Sequence, residues 1–210
     1  GSKTTAALVP LAMLLVIGPG IFGLRFLAPV AVFTIQFLLA LFTFGTVLFE
    51  PMHQLVLQLD VDPTFTGRTS IWAFAVEALS YRPWTGFGYE SFWGTPIVKE
   101  AANPCYLDWD VRGIVHGHNG YLDIAVSMGI PALICAILVI IVMPLINYLR
   151  CRPVRENLLL ADFFLMIVFF GTLNAMLESF FFRRMDPVWL TLVFAIFGLR
   201  LTAKIIIPKR

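Results

Sequence analysis

The sequence predicts an all-α membrane protein of about five transmembrane helices, with one large polar loop that contains an amphipathic helix. Three observations carry this expectation. Of 210 residues, 59% are hydrophobic and only 13% charged, against roughly a quarter charged in soluble domains. The mean hydropathy of +0.86 means more apolar surface than one globular core of this size hides, so lipid is the solvent for most of the chain. Apolar stretches of about 20 residues, the length that crosses a bilayer, also recur along the chain.

Ala6–Leu24 is the first stretch, interrupted by Pro10 and by Gly18-Pro19-Gly20. Phe26–Phe49 and Ile124–Leu149 carry no charge, and Pro131 and Pro144 predict bends in the latter. Leu158–Leu177 holds a single acid, Asp162, near its start. Pro187–Ile207 carries Arg200 and Lys204 only toward its end, where long side chains snorkel to the interface. The chain therefore divides into two transmembrane helices over residues 1–49, a loop over 50–118, and three transmembrane helices over 119–210.

Short basic linkers orient these spans. Arg150, Arg152 and Arg155 lie between the third and fourth spans, and Lys204, Lys209 and Arg210 follow the fifth. The positive-inside rule makes both regions cytoplasmic. Arg25 then falls inside, and the 50–118 loop falls outside together with Ser179–Asp186, although Arg183 and Arg184 run against the rule. The outer loop holds eight acids, among them Asp60, Asp62 and Asp108, against four bases. A formal net charge of +2 gives no basis for nucleic-acid binding. Cys105, Cys135 and Cys151 fall at different membrane depths, which argues against a disulfide among them. No charged leader with a small-residue cleavage site precedes the first span, and the absent initiator Met suggests a fragment.

Within the loop, Arg68–Tyr81 reads as an amphipathic helix stopped by Pro83. At 100° per residue Arg68, Trp72, Ala75 and Leu79 share its apolar face, and Glu77 points the opposite way. Arg82–Gly94 is a turn region rich in glycine and aromatics. Residues 96–115 show no firm periodicity.

The candidates for chemistry lie at the outer surface. His118 heads the third span with Asn119 as a helix cap. Tyr121, Leu122, Ala125 and Gly129 fall on its side of the helix, so His118 is expected to face a helix interface. A neutral imidazole there accepts a proton near pH 7, as a base that activates a hydroxyl must; a purely interfacial histidine is the plainer alternative. Arg68 on an apolar face needs an anionic partner. A pyrophosphate suits its fork and the helix N-terminus, and a loop carboxylate is the structural alternative. Glu178, at the outer end of the fourth span, is either functional or a partner for Arg183 or Arg184. Trp84, Phe87, Tyr89, Phe92 and Trp93 serve either to stack on sugars or as an interfacial belt. His116-Gly117-His118 has no spaced third ligand, so neither a metal nor another cofactor is expected.

Several of these residues recur as a pattern. Thr66-Gly67-Arg68 with Ile71-Trp72, Arg82-Pro83 with Gly86-Phe87-Gly88, and His118-Asn119-Gly120-Tyr121-Leu122 followed by Gly129 resemble the O-antigen ligase and polysaccharide polymerase superfamily. The likeness is greatest to exopolysaccharide-production polymerases. Asn174, Glu178-Ser179 and Asp186-Pro187-Val188-Trp189 extend it, over about residues 64–200. The resemblance implies a metal-independent, inverting glycosyltransferase on the periplasmic face of a bacterial inner membrane. Its donor is a glycan on undecaprenyl pyrophosphate, its acceptor a second glycan, and its other partners are polysaccharide assembly proteins. His118 takes the place of the base and Arg68 that of the pyrophosphate ligand. Arg82 is a less specific match, and Asn119, Tyr121 and Glu178 join the substrate site.

Ala132 stands where the family often has a second glycine. The family also has about ten or more spans and a further outer arginine, so the chain reads as the C-terminal portion of such an enzyme, inactive alone. A polymerase is the first expectation. A ligase moving finished glycan onto lipid A core or protein is the second, and a non-enzymatic transport subunit the third. Transport usually calls for ionisable groups at mid-membrane, which the second and third spans lack.

Overall fold

The computed structural model describes residues 3–58, 67–101 and 110–208. Asp60, Asp62, Thr66, Cys105, Asp108, Lys209 and Arg210 lie outside the described residues. The described residues are helical, with turns and no strand. The helices are α1 (Lys3–Ile21), α2 (Leu27–Leu48), α3 (Glu50–Gln58), α4 (Arg68–Tyr81), α5 (Pro96–Lys99), α6 (Gly120–Ile137), α7 (Met143–Leu149), α8 (Arg155–Asn174) and α9 (Pro187–Lys204). A π-helical turn at Leu138–Val142 joins α6 to α7, just before Pro144, whose missing N–H disturbs the regular ladder.

Four helices among the described residues are long and apolar enough to cross a bilayer: Leu27–Leu48, Gly120–Leu149, Arg155–Asn174 and Pro187–Lys204. The chain is thus an all-α membrane protein. The apolar part of α1, Val9–Ile21, is shorter, and α1 runs through Pro10 and Pro19 unbroken to Ile21 instead of being interrupted there. On α9, Leu190, Phe194, Phe197 and Leu201 are exposed while Leu192, Ala195, Leu199 and Thr202 are buried. That is one lipid-ready face and one packed face at helical spacing. Asp186 starts α9 by accepting the N–H groups of Val188 and Trp189 at 2.9 and 3.1 Å, with Pro187 in the first helical position.

The chain divides into two compact units. The first comprises residues 1–37, 136–174 and 182–210. A part-buried ion pair ties helices of this unit together: Arg25 donates to both oxygens of Asp162 at 2.6 and 2.8 Å and to Leu158 O at 3.1 Å. Tyr148 donates its hydroxyl to the same carboxylate at 2.8 Å, and the Arg25 guanidinium lies over its ring at 5.2 Å. A charge facing lipid is costly unless paired in this way. Gln36 of α2 donates to Thr172 of α8, a buried polar tie between helices.

The second unit comprises residues 38–135 and 175–181. Its core is Ile71, Trp72 and Ala75 of α4, Phe92, Val98, and Leu122 and Val126 of α6. The apolar face of α4 is therefore the buried one, and Glu77 is exposed.

The span expected over Ile124–Leu149 is longer and starts at Gly120. Its bend is at Gly129 (φ 84°, ψ 170°), two residues before Pro131. Pro131 has no N–H, so the Ser127 carbonyl one turn earlier has no helical partner. Gly88 N–H takes it at 2.8 Å. Ile130 N–H turns away to Pro83 O at 2.8 Å, which leaves the Val126 carbonyl for Phe87 N–H at 2.9 Å. The 83–88 loop is thereby sewn to an unwound turn of α6. A Cβ on Gly86 would stand 2.5–2.6 Å from the backbone of Ser127 and Met128, so this join requires glycine on the loop side too.

Candidate functional site

The site is assembled where α6 begins. Gly117 N–H donates to Asp123 Oδ1 at 3.0 Å, and Trp93 Nε1 donates to the same oxygen at 2.6 Å. Trp72 Nε1 donates to Gly117 O at 2.9 Å. The His116–His118 turn is thus held from three sides. A Cβ on Gly117 would fall 2.5 Å from Asp123 Oδ1 and 3.1 Å from Trp93, so only glycine fits. His118 then adopts φ +51°, a conformation uncommon outside glycine and worth explaining where it occurs.

Asn119 follows, fully buried. Its Oδ1 accepts Tyr121 and Leu122 N–H at 3.1 Å each, the N-cap expected for this residue type. Its Nδ2 donates to Met176 O at 3.0 Å, and its backbone N–H donates to Ser179 Oγ at 3.1 Å. His118 stands outside the helix, before this cap. Its direction is set by the turn and not by the helical face shared with Tyr121 and Ala125.

Helix α8 ends at Asn174, three residues short of the expected Leu177. Residues 175–178 leave the helix because each carbonyl finds a donor elsewhere. Gly120 N–H donates to Ala175 O at 2.7 Å and to Glu178 O at 3.1 Å. Asn119 takes Met176 O, and Arg68 Nη1 donates to Leu177 O at 2.6 Å. This turn, spliced between α6 and the start of α4, carries the Glu178 carboxylate to the site.

There Glu178 stands between a cation and an imidazole. Its Oε1 is 3.2 Å from Arg68 Nη2, and its Oε2 is 3.7 Å from His118 Nδ1. The second distance is longer than a hydrogen bond, and His118 Nδ1 is buried without a hydrogen-bond partner. Side-chain exposures of 22%, 42% and 34% for Arg68, Glu178 and His118 leave all three within reach of a ligand. Arg68 opens α4, preceded by Gly67 in the left-handed conformation (φ 82°). The ring of His116 meets that of His118 edge-on, centroids 4.1 Å apart. Burial first, then the neighbouring His116 and Arg68, push the His118 pKa below its ordinary 6.5, while Glu178 pulls the other way. The imidazole is therefore neutral at pH 7, the state a general base needs. His116 and His118, with Asp110, Gly113, Ile114 and Val115, line a pocket of about 330 Å³, within the range of small-molecule sites.

The structure thus brings together Arg68, His118, Glu178 and Asn119. Arg82 is apart from them, exposed at the other end of α4, about 20 Å away by helix rise, with its guanidinium 5.2 Å from the Phe87 ring centroid. Tyr121 is 4% exposed and packs edge-on against Phe181 at 5.1 Å, behind the site. Of the loop aromatics, Phe92 is core, Trp93 orders the histidine turn, and Trp84 and Tyr89 are exposed. Asp123 is the residue that the sequence reading does not single out. An acid in the first turn of a helix, six residues after a glycine between two histidines, was the available signal.

Fold and site define a class: an all-helical membrane protein whose extramembrane turn joins an arginine, a carboxylate and a neutral histidine, the equipment for handling an anionic group and a proton together. Residues 1–137 match the O-antigen ligase family, and the chain belongs to that family, whose activities are of the ligase and polymerase type on lipid-linked glycans in membranes. The match takes in α1 and α2, Arg68, the 82–88 loop, His118 and Gly129, and stops before Glu178. No curated protein matches the chain. No solved structure matches it.

Proposed function

We propose that this chain carries the donor-binding and base groups of a metal-independent, inverting membrane glycosyltransferase. Its substrate is a glycan on undecaprenyl pyrophosphate, and it polymerises repeat units into exopolysaccharide on the periplasmic face of the inner membrane. The observation that supports this most is that Arg68 and His118, fifty positions apart, meet on one carboxylate. In the reaction Arg68 holds the pyrophosphate through the guanidinium donor that Glu178 otherwise takes. His118 takes the proton of the acceptor hydroxyl. That oxygen bonds to the anomeric carbon from the face opposite the leaving group, and the bond from that carbon to the phosphate oxygen breaks. The electron pair leaves on the pyrophosphate, whose charge Arg68 stabilises. Asn119 and Tyr121 serve from behind by fixing the His118 turn.

In the full-length protein, His118→Ala is expected to abolish polymer ladders at unchanged protein level. Normal ladders in that variant would remove His118 from the mechanism. The family's description as an O-antigen ligase favours a second reading with the same Arg68 and His118 chemistry, in which finished glycan moves to another acceptor, lipid A core or protein. A deletion strain distinguishes the two, because short glycan points to a polymerase and accumulated unligated polymer to a ligase.

A further inference from the structure

Arg68 is not free in this structure, since the carboxylate of Glu178 already occupies it. The same carboxylate stops 3.7 Å short of His118 Nδ1, a buried nitrogen with no hydrogen bond. A buried polar nitrogen left without a partner is costly, and here the missing acceptor is less than about 1 Å from bonding distance. From this geometry we infer that Glu178 couples donor binding to base activation: an anionic donor takes Arg68, and the released carboxylate closes on His118 Nδ1–H. The inference rests on the roles given above to Arg68 and His118.

The exchange balances. Without donor, Oε1 neutralises Arg68 and Nδ1 is left unpaired. With donor, the diphosphate oxygens replace Oε1 on the guanidinium, and the carboxylate becomes the orienting acceptor for the imidazole. A proton on Nδ1 leaves Nε2, on the far side of the ring, with its lone pair toward the hydroxyl. The carboxylate then stabilises the imidazolium formed when that proton transfers, the role of the acid in a Ser-His-Asp triad. The titratable and charged groups that face the imidazole are His116 on its own turn, Arg68 from α4 and Glu178 from the 175–181 turn. Of these only Glu178 is shared with the donor's binding group. Base strength therefore rises only when a donor is present. Glu178 is a positioning residue here, acting through His118 and not on the sugar.

The test is Glu178→Gln in the full-length protein, assayed in detergent with a polyprenyl-pyrophosphate-linked oligosaccharide. Gln retains size and a weak acceptor but loses the charge. Coupling predicts kcat lower by 10-fold or more and a donor KM unchanged or lower, because Arg68 has lost its competitor. It also predicts that the acid limb of the kcat profile moves to lower pH, and Glu178→Asp should recover part of the rate. A purely structural Glu178 would instead raise donor KM by loosening Arg68 and leave the acid limb in place, and either result overturns the coupling. Arg68→Ala and His118→Ala run alongside separate the failures. If both are inactive while Glu178→Gln keeps wild-type kcat and limb, only the coupling is wrong. If both are active, the underlying roles are wrong.

Discussion

Ile130 donates its backbone N–H to Pro83 O at 2.8 Å, and this bond decides where α6 bends. It draws the amide out of the helix, and Pro131 opens the next turn, so the 83–88 loop pairs with α6 as though adding a short strand to it. Gly129 at φ 84°, ψ 170° occupies a region essentially reserved for glycine. A Cβ there would press on Trp84 C and Thr85 N at 2.5 and 2.9 Å.

Gly129→Ala is accordingly expected to undock the loop. Backbone strain of about 1–3 kcal/mol adds to the collision, so thermal unfolding in detergent should come several degrees earlier. Limited proteolysis should cut first between residues 83 and 91. Ala132→Gly, three residues on, leaves the loop docked and uncut and costs only the ordinary glycine penalty inside a helix, about 1 kcal/mol. Equal stability of Gly129→Ala and the parent protein would show that the bend is not set by this residue.

Replacing Arg68 by Lys tests whether the fork or the charge matters. Arg68 holds Leu177 O through one terminal nitrogen and Glu178 through the other. An ammonium is a single point of charge and cannot keep the backbone tie while presenting a second donor outward. The lysine variant should fold, keep a neutral imidazole at His118, and lose transfer activity by about 10–100-fold, the worth of about one charge-assisted hydrogen bond. The loss should fall mainly on donor KM. Wild-type donor KM in Arg68→Lys argues against a forked contact.

Much of this was legible in the sequence, and the remainder was hidden for definite reasons. Helix α4 begins and ends where its apolar stripe and Pro83 place it, because a local pattern and a local stop settle both ends. Helix α3 was missed although Glu50 and Pro51 make a fair helix start, since its polar face broke the apolar run. The early end of α8 was invisible because the donors that unwind residues 175–178 come from residues 68, 119 and 120. For the same reason Glu178 read as a partner for its neighbours Arg183 or Arg184, when its ion pair is with an arginine 110 positions away. Asn119 as a cap needed only its own residue type; its bonds to Met176 and Ser179 needed the fold.

The pH dependence of transfer follows from which form of His118 reacts. Only the neutral imidazole accepts a proton, so activity is lost as pH falls through its pKa. Burial, His116 and Arg68 hold that pKa below 6.5. The rate should be flat through neutral pH and decline only on the acid side of that value. Removing one of the depressing charges must move the limb the other way. The residual kcat/KM of Arg68→Ala should therefore begin its acid decline at a higher pH than wild type. A limb that stays put in that variant would mean that another group titrates.

Asn119 makes the sharpest structural test, because one side chain performs two separable tasks. Its Oδ1 caps α6, and its Nδ2 ties that cap to Met176 O. Asn119→Asp keeps a cap acceptor and adds favourable charge at a helix N-terminus. It replaces the donor with an acceptor facing a buried carbonyl, which desolvates a charge without a partner. Asn119→Ser retains the cap but is too short to reach Met176 O. Asn119→Ala removes both, at about 1 kcal/mol for the cap and about 1–3 kcal/mol for the carbonyl left bare. Stability measured by denaturation in detergent should fall in the order wild type, Ser, then Ala, with Asp no better than Ala despite its superior cap. Activity should track this order, because the tie also sets where Glu178 stands relative to His118. An Asp variant as stable as the Ser variant would mean that the cap alone matters, and that the 175–181 turn is held in place without Asn119.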